Sequence, residues 1–133
     1  MRYLSFQDTI SFHGHNGPFL AIGYRAGRYA MDKLKPEYIK DISCCVNIIG
    51  RTPYTCIIDG IQCATFCTTG KSNLSIKHSA RDISIVFKNK SKTINLIPRK
   101  NIIKDALSTE KMTDNKQWKA VESIDSIFII KEE

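Results

Sequence analysis

The stretch that most restricts this chain is the helix that follows Pro18, because its small residues dictate what can lie beside it. Residues 19–34 read as a helix, with Leu20, Tyr24, Gly27, Met31 and Leu34 stepping by four and three as a buried stripe. Ala21, Gly23, Ala26, Gly27 and Ala30 keep it slim. A glycine inside a helix costs about 1 kcal/mol relative to alanine. Gly23 and Gly27 therefore predict the close approach of another backbone. Pro18 stands in the first turn, where a missing N–H costs nothing, and Lys35-Pro36 ends the helix.

Around this helix the pattern predicts an α+β domain. Residues 42–49 form a buried strand by their length and apolar content. Thr52-Pro53 opens a second helix that runs to about Thr68, with Gly70 as its C-terminal cap. Residues 74–77, 83–87 and 93–97 alternate apolar and polar side chains and read as three strands. The order is helix–strand–helix and then three strands, a mixed or antiparallel sheet with helices packed on it. Beyond Pro98, Ile102, Ile103, Ala106 and Leu107 share one helical face. Residues 108–117 are polar and read as a mobile loop, Trp118 and Val121 as a short helical turn, and 126–131 as a last strand. We expect one domain over residues 1–133, with a core at 5–98 and an extension at 99–133 that packs on the core, away from the site.

Composition excludes several classes. At 133 residues the chain can bury a core without disulfide staples. No apolar run approaches the roughly 18 residues of a membrane span. The start is polar and carries Asp8, unlike a secretory signal. The expected compartment is the reducing cytoplasm, where the five cysteines stay free for packing, metal or redox roles. Net charge is +7, with thirteen basic and eight acidic residues in 71–133 against seven and five in 1–70. The densest basic stretch holds Lys88, Lys90 and Lys92. These suit a phosphate-binding strip, but at period two they also suit the solvated edge of a hairpin, where lysines discourage strand pairing. Clustered aromatics of the RNA-binding kind are absent, so nucleic acid is not an expected partner.

Chemistry concentrates in two places. His13 and His15 flank Gly14 just before a helix start; on an extended segment they would project to one side, as a two-imidazole clamp or an anion site. Such a pair alone equally suits a hydrogen-bonded turn. Cys56 falls in the first turn of the second helix, where free N–H groups would favour a thiolate, a ligand or a nucleophile. Asp59 is one turn on and can face the same site. Cys63 reads as core, and of the adjacent Cys44 and Cys45 at least one is packing. Cys56 and Cys67 are separated by roughly 16 Å if the helix is continuous. Both can then bind one ion only if the helix breaks or a partner chain contributes.

These residues carry a resemblance. Phe12-His13-Gly14-His15, then Pro18, then residues 20–27, is similar to the opening motif of the FmdE family, the E component of formylmethanofuran dehydrogenase. Residues 56–62 and Cys67-Thr68-Thr69-Gly70-Lys71-Ser72-Asn73-Leu74 resemble its second motif, at the expected distance. The likeness covers residues 5–98, and residues 123–130 resemble a worn closing segment. It implies the α+β fold just read, a homodimer, and a divalent metal with zinc as the default. The implied ligands are His13, His15, Cys56 and Cys67. Asp59, Gln62, Lys71 and Asn73 match the family's polar positions. Cys56, Asp59 and Lys71 are the candidates for a catalytic role.

The departures are specific. Gly17 stands where relatives often have a cysteine before the proline, Phe19 where a glycine follows, and Ser72 where a glycine is expected. No cysteine follows Cys67 in these 133 residues, so the C-terminal zinc finger of some relatives is not expected here. The resemblance implies a metal-binding accessory protein of one-carbon metabolism, tied to formylmethanofuran, carbon dioxide and methanogenesis. It would work beside subunits of a molybdenum or tungsten formylmethanofuran dehydrogenase. The alternative is a stand-alone enzyme using a metal or the Cys56 thiol; a basic binding module is a third.

Overall fold

The computed structural model describes residues 3–109 and 114–133. The helices are α1 (Phe6–His13), α2 (Pro18–Leu34), α3 (Cys56–Thr65), α4 (Lys100–Ser108) and α5 (Ile124–Ile127). The strands are β1 (Ser43–Ile49), β2 (Leu74–Ser79), β3 (Ser84–Lys88), β4 (Thr93–Pro98) and β5 (Phe128–Glu132). They form one mixed sheet in the order β2-β1-β3-β4-β5, and the fold is α+β. Among the described residues only β1 and β2 pair in parallel. That pairing requires a crossover, and α3 supplies it. β3 and β4 are joined by a turn in which Asn89 Oδ1 accepts from the backbone N–H of Ser91 and Lys92.

One face of the sheet is buried under the helices. Alternation along β1 sends Cys44, Val46 and Ile48 inward, level with Ile85 and Phe87 of β3 and with Ile94 and Leu96 of β4. Ile22, Ile57 and Ile61 close the core from α2 and α3. β5 and α4 also enter it, through Phe128, Ile102 and Ala106. The extension beyond Pro98 thus supplies the fifth strand as well as an outer layer. Of the expected loop at 108–117, residues 110–113 lie outside the described residues.

The small face of α2 meets α3. A Cβ added at Gly23 would lie 2.8 Å from the carbonyl carbon of Ile57, and one at Gly27 2.6 Å from Ala64 Cβ. The close approach predicted for these glycines is therefore met by α3. Gly60 answers from the opposite side: its Cβ would fall 2.6 Å from the backbone nitrogen of Tyr24.

Two local expectations are corrected. Residues 6–13 form a helix, and His13 is its last residue, so the histidines do not lie on an extended segment. Ser5 caps α1 by accepting from the Asp8 N–H at 3.1 Å, and Gly14, at φ 105°, ends it. The second correction concerns α3, which runs from Cys56 to Thr65 and not over residues 52–68. Thr52 and Pro53 lie in the preceding turn, and the cap is Phe66, with φ 59°, in place of Gly70. Thr65 explains the early stop. Its hydroxyl donates to the Ile61 carbonyl at 2.7 Å and accepts from the Cys67 N–H at 3.1 Å, drawing the chain out of the helix.

Candidate metal centre

Three chain segments converge at one point. α1 ends on His13, the Gly14–Gly17 turn carries His15 into α2, and α3 begins with Cys56. One ligand atom from each of His13, His15 and Cys56 lies within 4.8 Å of the others. The imidazoles face each other at 4.6 Å between ring centroids, tilted by 39°. A void of about 20 Å³ opens between His15, Gly17, Pro53 and Cys56, about the size of one small occupant.

The most informative atom is Nε2 of His13. It is buried and, among the described residues, without a hydrogen-bond partner. A polar atom left so costs about 1–3 kcal/mol unless something binds it. Its companion Nδ1 is engaged by Asp59 Oδ2 at 2.6 Å. A carboxylate on one imidazole nitrogen fixes the ring and the tautomer and leaves the other nitrogen's lone pair outward, the arrangement that supports metal-ligating histidines. Gln62 Nε2 reaches Asp59 Oδ1 at 3.4 Å, behind that carboxylate. Imidazole and thiolate donors are those zinc prefers, so this donor set fits such an ion.

Cys56 does not behave as the helix-start argument predicts. Burial pushes its thiol up, and the Asp59 carboxylate pushes it further, against a smaller opposing effect of a backbone hydrogen bond. Desolvation outweighs the helix terminus, so a metal ion here would have to displace the thiol proton.

Cys67 is not brought to this group. α3 does break before it, but the chain then turns inward: Cys67 is fully buried, with Sγ 3.8 Å from the Ile42 carbonyl. Within this chain the cluster of candidate ligands is therefore His13, His15 and Cys56, without Cys67. Lys71 belongs to the turn after α3, where Nζ donates to Thr68 Oγ1 at 3.0 Å. That turn lies at the end of the helix opposite Cys56. Asn73 ties the same turn, accepting from the Thr68 N–H at 2.8 Å and donating to the Ile39 carbonyl at 3.1 Å. Ser72, where the resemblance leads one to expect glycine, takes a positive φ of 64°, a conformation that glycine adopts without strain. All five cysteines are free.

Asn16 was not singled out from the sequence. It is buried beside His15, and its amide donates to the Asp114 carbonyl and, at 3.2 Å, to that of Lys116. The C-terminal extension, expected to pack away from the site, is thus held next to the candidate centre, because the buried Asn16 amide needs its carbonyls as acceptors. Arg25 adds two bonds, to the carbonyls of Lys119 at 2.6 Å and Glu122 at 2.8 Å. A buried-side asparagine directly after the second histidine was the available signal. Among the described residues, no helix is long and apolar enough to cross a membrane.

Comparison with known proteins gives two findings. The model of the family described as "FmdE, Molybdenum formylmethanofuran dehydrogenase operon" matches residues 12–129. A relative from Archaeoglobus fulgidus, described as a probable S-adenosyl-L-methionine-binding protein, is 41% identical over 64 residues. That stretch is 47% of this chain and 18% of the relative, so the chain spans less than a fifth of its length.

Proposed function

The chain belongs to the FmdE family, and on that premise we propose that it is a metal-binding accessory protein of formylmethanofuran-linked one-carbon metabolism. Its ion, zinc by donor chemistry, is held by His13, His15 and Cys56, with Asp59 orienting His13 from behind. The observation that carries this reading is the buried, unpartnered Nε2 of His13 beside two further donors. The wider setting rests on the family: the cytoplasm, a homodimer, and association with molybdenum or tungsten formylmethanofuran dehydrogenase subunits in methanogenesis. The binding activity named for the Archaeoglobus relative is not carried over, since most of that protein has no counterpart here.

Metal analysis of untagged protein tests the reading directly. One zinc per chain is expected, with clear loss in His15→Ala and in Cys56→Ser and none in Cys44→Ser. Unchanged content in both site variants would refute it. Light scattering should report a dimer, and a mass near the 15.1 kDa of one chain would remove that part. Affinity purification from a host containing the dehydrogenase checks the partner; recovery without any of its subunits counts against an accessory role.

A second reading, a stand-alone metal-dependent enzyme, is favoured by one observation. The cluster offers three donors among the described residues, and Gly17 offers none where relatives often have cysteine. An ion with three protein ligands supplies a Lewis acid with one position open to a substrate oxygen. In that case His13, His15 and Cys56 would hold the ion, with His15 on the exposed side of the site and Asp59 keeping His13 fixed. Displacement of a coordinated exogenous ligand in the cobalt-substituted protein would separate the two readings.

A further inference from the structure

A cavity of about 570 Å³, lined by none of His13, His15 and Cys56, lies where the ends of β1 and β4 meet the start of β3 and the first turns of α4. This volume is in the range of small-molecule sites. Its apolar wall includes Ile49, Ile97 and Ile103, each only partly covered by the rest of the chain. Its rim carries Arg51, Arg81 and Lys100. Asp82 is the one carboxylate among the lining residues, which leaves a surplus of positive charge.

The three cations have no ion-pair partner among the described residues; the pairs that do form use His13, Arg28 and Lys119. Arg51 is instead drawn over the Tyr54 ring, 5.3 Å from its centroid, and Tyr54 lines the same cavity. Like charges gathered on one rim repel, and the first turn of α4 adds partial positive charge beside Lys100. An anion relieves both effects, and an anion alone would leave the isoleucine wall wet.

We propose that this cavity binds a small organic anion, with a carboxylate or phosphate at the Arg51–Arg81–Lys100 rim and an apolar or aromatic body against Ile49, Ile97 and Ile103. The site is independent of any metal. It nevertheless adjoins the candidate centre, because Tyr54 packs edge-on against Phe19 at 5.4 Å, and Phe19 and Pro53 line the void that holds His15 and Cys56. A ligand seated in the cavity thus touches the segment that leads from β1 into Cys56.

Calorimetric titration with 1-naphthyl phosphate and with 1-naphthoate tests this, in buffer containing EDTA so that no ion contributes. At least one of the two should bind one-to-one, about tenfold more tightly than neutral 1-naphthol or inorganic phosphate, and the preferred one identifies the head group. Arg51→Gln and Arg81→Gln should each weaken it several-fold, and Ile103→Asp should abolish it. Amide shifts on titration should fall at Ile49, Ile97 and Ile103, a readout that does not depend on any variant. No saturable binding by either anion, equal binding of 1-naphthol, or full affinity in folded Arg51→Gln/Arg81→Gln protein would overturn the proposal.

Discussion

Gly23→Ala is the substitution whose effect the packing determines most closely. The added Cβ would sit 2.8 Å from the Ile57 carbonyl carbon, about 0.7 Å inside the 3.5–4.0 Å at which carbon atoms rest. The obstacle is backbone, which cannot turn aside as a side chain does, so α2 and α3 must separate. Overpacking of this kind costs about 1–3 kcal/mol, and a rigid neighbour puts it near the upper end. Alanine returns about 1 kcal/mol through helix propensity. The net expectation is about 2 kcal/mol of destabilisation, or about 7 °C in Tm for a chain of this size. Ile57 follows Cys56, so the same displacement should weaken zinc binding. Gly70→Ala is the comparison: an added Cβ there meets nothing within 4 Å, and Tm should change by less than about 2 °C. Differential scanning calorimetry with a competitive zinc titration reads both effects. A Gly23→Ala protein that melts with its parent and keeps its zinc affinity would refute the close-packing argument.

Three further outcomes are expected. Asp59→Asn should lower zinc affinity about 10–100-fold by releasing His13, measured against a chromophoric chelator; unaltered affinity would mean the 2.6 Å contact does not orient the ring. Gly17→Cys should raise zinc affinity and add thiolate bands to the cobalt spectrum, since a Cβ there lies at an ordinary 3.6 Å from His15 Nε2; an unchanged spectrum would place the new thiol outside the centre. Burial and its hydrogen bond to Glu132 push Tyr29 up to about 12. Its ordinary value is near 10, so the unfolded chain loses this proton first. The stability linked to Tyr29 is complete below about pH 10 and is lost as pH rises toward 12. Alkaline unfolding should be flatter over that window in Tyr29→Phe, and an identical profile would contradict the assignment.

Most of the sheet and α2 were legible because their signals are local. β1, β3 and β4 alternate strictly, and the stripe of α2 repeats over four turns. α1 was missed because eight residues with one fully buried side chain, Thr9, give almost no periodic signal. Its end signals were present nonetheless: Ser5 three residues before Asp8, and Gly14 after the last turn. The end of α3 was misread because the hydroxyl of Thr65 competes with the backbone, a contest that spacing does not report. At the site, His13, His15 and Cys56 were readable from motif and position. The inward turn of Cys67 was not, since it depends on a contact with Ile42, twenty-five residues away. Gly60 escaped notice because its reason lies wholly in the partner helix.

The shortness of α1 has a kinetic meaning. An eight-residue helix is marginal by itself, and this one is fastened at a few points. Tyr24 donates to the Leu4 carbonyl at 2.7 Å, the Leu4 N–H donates to the Cys63 carbonyl at 3.0 Å, and Asp59 holds His13. Residues 3–13 can therefore peel away as a unit while the sheet stays dry, at a free energy well below that of global unfolding. In hydrogen exchange their amides should form a separate, faster class than those of β1 and α3. For an ion at the cluster, this peeling removes one ligand of three, so residence time would follow the opening rate of a surface clip and not the stability of the domain.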